Sequence, residues 1–393
     1  MTTKVATALV SGTTKDAAEA LATHVKAQLG GEPPAFAMVF ASTQQSLAEL
    51  MANLNGRLGP ATLLGASTAG EFTEAGDAKG SAAIFAVAGD FRVFAGIATG
   101  LKGDLEGAVQ RAARDLPMTL EGYPHRTAII LLDPLAGNGE EATLLVAAAL
   151  GGDVRLAGGA AGDDLQMKAT FVGLGETAKS DALVLAVLFS KAPLGVGVCH
   201  GHVPISEGLR VTRAEGNVVH EIEGRPAWDV WAERTRASAA KRGVDPAKLA
   251  AADLGGYLLR YEAGLATGNA YKIRAPLSRS PDGSLGFACG IPQGSVIRIT
   301  ESEPSRQIDS ARQAARNALA QTNGQKSAGA IVFDCICRNL ILGDDFKRAV
   351  QSISEELGGV KIAGFETYGE IALDAGDMSG FHNTTTVVLS FPE

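Results

Sequence analysis

One order of helix and strand signals recurs three times along the chain, and it constrains the fold more than any single motif. In the first copy, residues 14–29 place Ala17, Ala20, Leu21, Val25 and Leu29 on one helical face. The turn signal GGEPP and the buried strand AFAMVFAS follow. Ser42 or Thr43 then caps a helix over 44–57, and TLLGASTAGEF, GSAAIFAVAG and FRVFAGIATG read as strands. The second copy runs helix 104–116, strand TAIILLDP, helix 139–150, then RLAGGAAGDD and DALVLAVLFS. The third runs helix 305–322, strand AGAIVFDC, helix 344–357, then KIAGFETYGEI and TTTVVLSF.

Spacing supports the repeat. Phe40 to Gly65 and Leu132 to Ala157 are each 25 residues, and Phe333 to Gly364 is 31. GASTAGE (65–71) and GFETYGE (364–370) share a G-x-x-x-x-G-E frame, with AGGAAGD (157–163) a looser copy. A unit this long implies related layers rather than a solenoid. Alternating helices and strands put helices on sheet faces, and short turns between neighbouring strands imply partly antiparallel pairing. The expectation is a mixed α/β fold of two domains containing three related α-β-α-β-β layers. Between the second and third copies the pattern changes to strands, a hairpin at Glu215-Gly216-Asn217, a helix with Pro226 at its start, and a polar helical stretch over 236–253. That change places the division at 1–223 and 224–393.

A chain of 393 residues with 46% hydrophobic and 20% charged residues has ample apolar surface for a core. Its net charge of −8 and the lack of a basic block argue against nucleic acid as a partner. The N-terminus lacks the flanks of a signal peptide, and no apolar run reaches the ~18 residues of a membrane span, so a cytoplasmic protein is expected. The four cysteines include one C-x-C pair, Cys335 and Cys337, which makes a poor zinc site and fits reduced thiols.

The polar groups worth weighing concentrate between Val360 and Phe391. Glu366 and Glu370, if on one strand, stand roughly 13 Å apart, too wide for the about 5–9.5 Å of a glycosidase pair. They suit a backbone group, Arg338 or a ligand amine better, with Arg338 able to fork onto a carboxylate. Cys335, with Arg338 three residues on, is the candidate for a thiol-dependent enzyme. The Gly-rich turns match neither dinucleotide nor P-loop frames. Among the histidines, His382 stands out beside Asn383 and opposite the GFETYGE run, and His200 and His202 share a strand face as rivals for a metal. A core histidine is the commoner role for each.

DCICRNLILG (334–343), GFETYGEIA (364–372) and FHNTTTVVL (381–389) resemble the C-terminal half of the FIST family. GASTAGEF (65–72), AGGAAGDD (157–164) and VTRAEGNVVHEIEGRPAWDV (211–230) resemble its N-terminal half. The resemblance implies a sensory module rather than an enzyme, binding small molecules such as amino acids. It implies a partner histidine kinase or cyclic-di-GMP turnover protein, which a chain ending directly after its last strand would reach as a separate molecule. One subset of the family binds haem and senses nitric oxide. Carried onto this chain, that makes haem b a candidate cofactor with His382 as axial ligand, and His200 and His202 as rivals. Where the family shows an aromatic in a G-W-x-P segment, this chain has Gly201-His202-Val203-Pro204. The ligand-binding set expected on this basis is Arg338, Glu366, Tyr368, Glu370, His382 and Asn383. A homodimer stays open.

Overall fold

The computed structural model describes residues 2–267, 270–373 and 380–393. Three six-stranded sheets and one nine-stranded sheet account for the described strands. Each six-stranded sheet is built mainly from one copy of the repeat. In the first, strands Lys4–Ser11, Ser81–Ala88, Phe36–Ser42 and Leu63–Thr68 lie side by side. The second holds Arg92–Thr99, Ala182–Ser190, His125–Leu132 and Arg155–Ala160 in the same spatial order. The third holds Gly195–Cys199, Thr386–Pro392, Ser327–Cys335 and Lys361–Thr367. In every copy the last two of these strands pair in parallel and the other neighbours antiparallel, which is the mixed pairing expected. An opening strand precedes the first helix of each copy, so the unit is one strand longer than its sequence pattern.

The last two places in each sheet belong to another copy. Hairpin Glu71–Thr73/Gly76–Ala78 of the first copy extends the third sheet, pairing Phe72 with Gly364. Hairpin Glu370–Leu373/Phe381–His382 of the third extends the second sheet, pairing Ile371 with Gly158. Hairpin Val172–Leu174/Thr177–Lys179 of the second extends the first sheet, pairing Gly173 with Gly65. The exchange closes a three-membered ring. It also corrects the sequence frame: Gly158, not Ala157, stands where Gly65 and Gly364 stand. The reason is the two-residue strand period. Ala66 and Phe365 point into the shared core, so the preceding residues must face the helices.

The inner faces of the three sheets meet in one core that includes Phe36, Phe40, Leu131, Val184, Phe333, Phe365 and Phe391. The outer faces are covered by helices Thr14–Leu29 and Leu47–Leu58, Leu105–Ala113 and Gly139–Leu150, and Pro304–Ala320 and Phe346–Glu356. Helix Leu47–Leu58 is capped by Ser46, whose side chain accepts from the Glu49 amide. Ser42 and Thr43, the caps expected from sequence, are instead bound to Asp164 of the second copy. A short extra helix, Ile336–Leu342, follows Cys335 directly.

The nine-stranded sheet is an insertion into the third copy, running from strand His202–Pro204 to strand Val296–Ser302. It has its own core, in which Trp228, Trp231, Tyr257 and Phe287 are buried. The polar stretch 236–253 does not form one helix. Helix Ala227–Ala240 ends before Gly243, whose φ of 73° is left-handed, and helix Ala251–Arg260 begins after Pro246. A division at 223/224 runs through this inserted sheet, and strands from both sides of it also share the second and third sheets.

Phe391 joins the third copy to the first, with its ring 5.0 Å from Phe85, 5.8 Å from Phe91 and 6.4 Å from Phe36. Phe391→Ala is expected to cost about 3–5 kcal/mol, measured by urea unfolding. A loss under about 1 kcal/mol would mean that the three inner faces do not depend on this contact.

Candidate functional site

A cleft of about 290 Å³ lies where the second and third copies meet the insertion. Its wall includes Cys335, Ile336 and Cys337 at the strand-to-helix junction of the third copy, and Pro134 and Leu135 beyond strand His125–Leu132. The insertion adds Gly255 and Leu259 from helix Ala251–Arg260 and the 275–277 segment. Four of the nine large apolar side chains left exposed among the described residues, Leu165, Met167, Leu277 and Leu340, gather here. Scattered apolar residues are ordinary on a surface, but four around one concavity make it the candidate binding site.

The loop that brings Leu165 and Met167 to the mouth is held in a costly conformation. Asp164, Leu165 and Met167 have φ of 54°, 62° and 53°, left-handed values that side chains disfavour. Asp163 holds the loop in place. Its carboxylate accepts from the amides of Met167 at 2.8 Å and Ala169 at 3.0 Å, from the Lys168 amide, and from the Tyr368 hydroxyl at 2.6 Å. Burial pushes this carboxyl up, but the bonds from Tyr368 and the three amides outweigh it and hold it below the usual carboxylate range. The Tyr368 oxygen in turn accepts from the Leu165 amide at 2.8 Å.

Of the six residues expected to bind ligand, Tyr368 and Asn383 line this cleft. Asn383 is committed to the walls: its Oδ1 accepts from the Ala275 amide and its Nδ2 donates to the His382 carbonyl. The other four do not line it. Arg338 is fully buried, donating to Asp334 at 2.8 Å, to Ser310 Oγ at 2.9 Å and to the Gln307 carbonyl at 2.9 Å. It ties helix Ile336–Leu342 to helix Pro304–Ala320 and has no fork left for a ligand carboxylate. Glu370 accepts from Thr367 Oγ1 and the Thr385 amide, and Glu71 accepts from Thr68 Oγ1 and Ser81 Oγ. The shared Thr-x-x-Glu pairing makes the acid of the G-x-x-x-x-G-E frame a fastening of the turn between sheets. Glu366 and Glu370 are also not on one strand, because Tyr368-Gly369 turns the chain from the third sheet to the second.

The histidines are engaged elsewhere. His382 pairs across from Glu370, as the sequence suggested, and its Nε2–H donates to the Ala372 carbonyl at 3.2 Å. Burial pushes its imidazole down to about 3, so it stays neutral. His200 donates from Nε2 to the Tyr271 carbonyl at 3.0 Å and accepts the His202 amide on Nδ1 at 3.2 Å. His202 meets Thr300 Oγ1 at 3.1 Å and Glu262 at 3.5 Å. Neither lines the cleft. A haem does not fit these residues: among the described residues no imidazole faces the cleft, and the three candidates are tied to backbone or to Thr300. No group of three or more His, Cys, Asp and Glu is placed to hold a metal ion among the described residues. Cys335 does line the cleft, but burial first, and Cys337 beside it second, push its thiol well above the ordinary range. That is the reverse of an activated nucleophile.

With the geometry in place, comparison with known proteins adds the family. A FIST N domain matches residues 35–225 and a FIST C domain matches residues 227–373. The chain belongs to the FIST family. FIST domains are associated with the sensing of small ligands in signal transduction. The two matched segments meet beside helix Ala227–Ala240, within the inserted sheet. An uncharacterized protein of Methanocaldococcus jannaschii is 25% identical over 251 residues, covering 58% of this chain and 47% of that protein. The chain thus spans about half the length of this curated relative. A solved structure of a cyanuric acid hydrolase aligns over all of both chains at 13% identity with a TM-score of only 0.26. Among the described residues, no helix is long and apolar enough to cross a membrane.

Two further outcomes follow from the buried acids. Glu366 is pushed up to about 8, by burial first and by Asp334 and Glu71 as neighbours, against a bond from Asn339. Its folded-state proton affinity exceeds that of the unfolded chain, so its contribution to stability is full below about pH 4.5 and is lost as pH rises through about 8. Glu366→Gln should therefore flatten the fall in melting temperature between pH 5 and 8.5, an effect on the order of a few kcal/mol. An unchanged slope would place the fall in other groups. Asp163→Ala strands three amides and the Tyr368 hydroxyl, and should cost roughly 2–4 kcal/mol in urea unfolding. A loss within about 0.5 kcal/mol would show that the loop is held by other contacts.

Proposed function

We propose that this protein is a sensory module whose signal is a small uncharged molecule bound in the apolar cleft between the three-sheet ring and the insertion. One observation supports this above others: among the described residues, no Asp, Glu, Lys, Arg or His lines the cleft. An amino acid would bury its ammonium and carboxylate there without partners, at a cost of several kcal/mol or more. A haem-dependent nitric oxide sensor would need an imidazole turned into the cleft, and His382 is bonded to Ala372 instead. A thiol-dependent enzyme would need a thiolate at Cys335, which its surroundings disfavour. Each of the three alternatives meets a specific obstacle that an uncharged ligand does not.

Signal transfer follows from where the cleft lies. Its walls come from two bodies with separate cores, so a ligand touching both stabilises one relative arrangement of them. A partner such as a histidine kinase or a cyclic-di-GMP turnover protein would read that arrangement.

Gly255 offers a direct test. A Cβ there meets nothing within 4 Å, and the residue sits in helix Ala251–Arg260 facing the cleft. Gly255→Trp should fold as well as the parent, because glycine is a poor helix residue, while filling the cleft. In a thermal-shift panel of small uncharged apolar compounds, those that raise the parent's melting temperature should lose most of that shift in Gly255→Trp. Equal shifts in both proteins would overturn the assignment. So would a Soret band in protein purified from haem-supplied cells that disappears in His382→Ala.

A further inference from the structure

The apolar cleft does not end at Tyr368. A second chamber of about 410 Å³ abuts it, with Pro134, Ala288 and Tyr368 belonging to both walls. The two differ in chemistry. The first is lined by aliphatic side chains, whereas the second is bounded by the start of helix Gly139–Leu150, by the Gly216-Asn217 turn and by Cys289-Gly290. Gly137, Gly139, Gly216 and Gly290 contribute backbone without side chains, Asn138, whose Oδ1 caps the helix, contributes its Nδ2, and Asn217, whose Nδ2 donates to the Phe287 carbonyl, contributes its Oδ1.

Gly290 and Gly139 are set by close approach, and Gly216 by its backbone conformation. A Cβ on Gly290 would stand 3.0 Å from the Gly216 carbonyl oxygen, and one on Gly139 would stand 2.3 Å from the Phe381 ring. Gly216 itself has a left-handed φ of 56°. The result is a chamber whose wall sets peptide groups and amides, which donate and accept hydrogen bonds, beside Pro134, Tyr368 and Phe381. Among the described residues it has no charged side chain, like the first chamber. The Cys289 thiol adds no charge either, since burial pushes it up and keeps it protonated.

We propose that the two chambers hold one neutral amphiphile, with an alkyl or aryl tail among Leu165, Leu277 and Leu340 and an uncharged hydrogen-bonding head, such as a primary amide or alcohol, between Gly137 and Asn217. The proposal rests on the first chamber being a ligand site. Tail burial supplies the affinity, and the head selects against ions. An ammonium in the second chamber would lose its hydration without gaining a counter-charge, and a carboxylate would meet only the start of helix Gly139–Leu150, where Asn138 already takes the Glu140 and Glu141 amides, whereas an amide exchanges water for peptide groups.

A chain-matched series tests this on the full-length protein by calorimetry at pH 7.5: octanamide, octanoate and octylamine, with naphthalene as a probe that fills only the first chamber. Octanamide is expected to bind at least about tenfold more tightly than either ion. Gly137→Val, whose Cβ meets Leu101 at an ordinary 3.5 Å, adds bulk to the wall of the second chamber. It should remove the advantage of octanamide while leaving naphthalene unchanged, which also reports that the variant is folded. Octanoate or octylamine binding as tightly as octanamide overturns the proposal from the parent protein alone, as does octanamide binding unaffected by Gly137→Val. If naphthalene binds in those cases, only the two-chamber ligand fails. If naphthalene and octanamide both fail to bind, the reading of the first chamber fails with it.

Discussion

The exchanged hairpins are what the rest of the molecule rests on. A strand at the edge of a sheet presents unpaired N–H and C=O groups, which are costly if buried dry and prone to pairing with other chains if left open. In each six-stranded sheet the parallel strand that would form this edge, Leu63–Thr68, Arg155–Ala160 or Lys361–Thr367, is covered by a hairpin from another copy. No copy completes its own sheet. Because the donation runs first to third, third to second and second to first, each inner face is held against the others and their apolar residues merge into one core. Removing any one hairpin would open an edge in one sheet and unfasten a turn in another copy.

The candidate site is a by-product of that closure. Tyr368 sits in the turn that carries the third copy's chain from its own sheet into the second, so the exchange itself brings it to Asp163 and the Leu165 amide of the second copy. The same crossing explains why so many acids are buried near the site without lining it. Glu71 and Glu370 fasten equivalent turns through Thr68 and Thr367, and burial raises the proton affinity of both. A cluster of acidic residues close to a cleft looks catalytic in a sequence. Here Glu71 and Glu370 hold two of the three crossings shut, while the cleft is apolar. The strain is concentrated in the second copy, where left-handed Leu165 and Met167 keep apolar side chains exposed. That is the place where backbone strain and exposed apolar surface coincide.

Some of the site was legible before the structure and some was not. Tyr368, His382 and Asn383 stood out because they occur in the third copy at places where the others have nothing comparable; Tyr368 and Asn383 reach the cleft, and His382 does not. Arg338, Glu366 and Glu370 stood out equally, because charged groups beside apolar runs look functional whether they face a ligand or fasten a turn. Leu165, Met167, Leu277 and Leu340 carried no signal, since lone apolar residues on a chain look alike until they are seen around one concavity.

What the amino-acid sequence determined by itself is the local order: the 3.6-residue helical faces, the buried strands and the threefold recurrence of helix, strand, helix and paired strands. These follow from side-chain periodicity and backbone preference, which act over a few residues. Which hairpin enters which sheet was decided only by tertiary structure. A short strand such as Glu71–Thr73 pairs equally well with any open edge of the right register, and only the closed ring covers all three edges at once. The one-residue shift from Ala157 to Gly158, the burial of Arg338 and the apolar cleft all follow from that long-range pairing. So the Val360–Phe391 stretch was located from sequence, but its turn at Tyr368-Gly369, and with it the nature of the site, belongs to the fold.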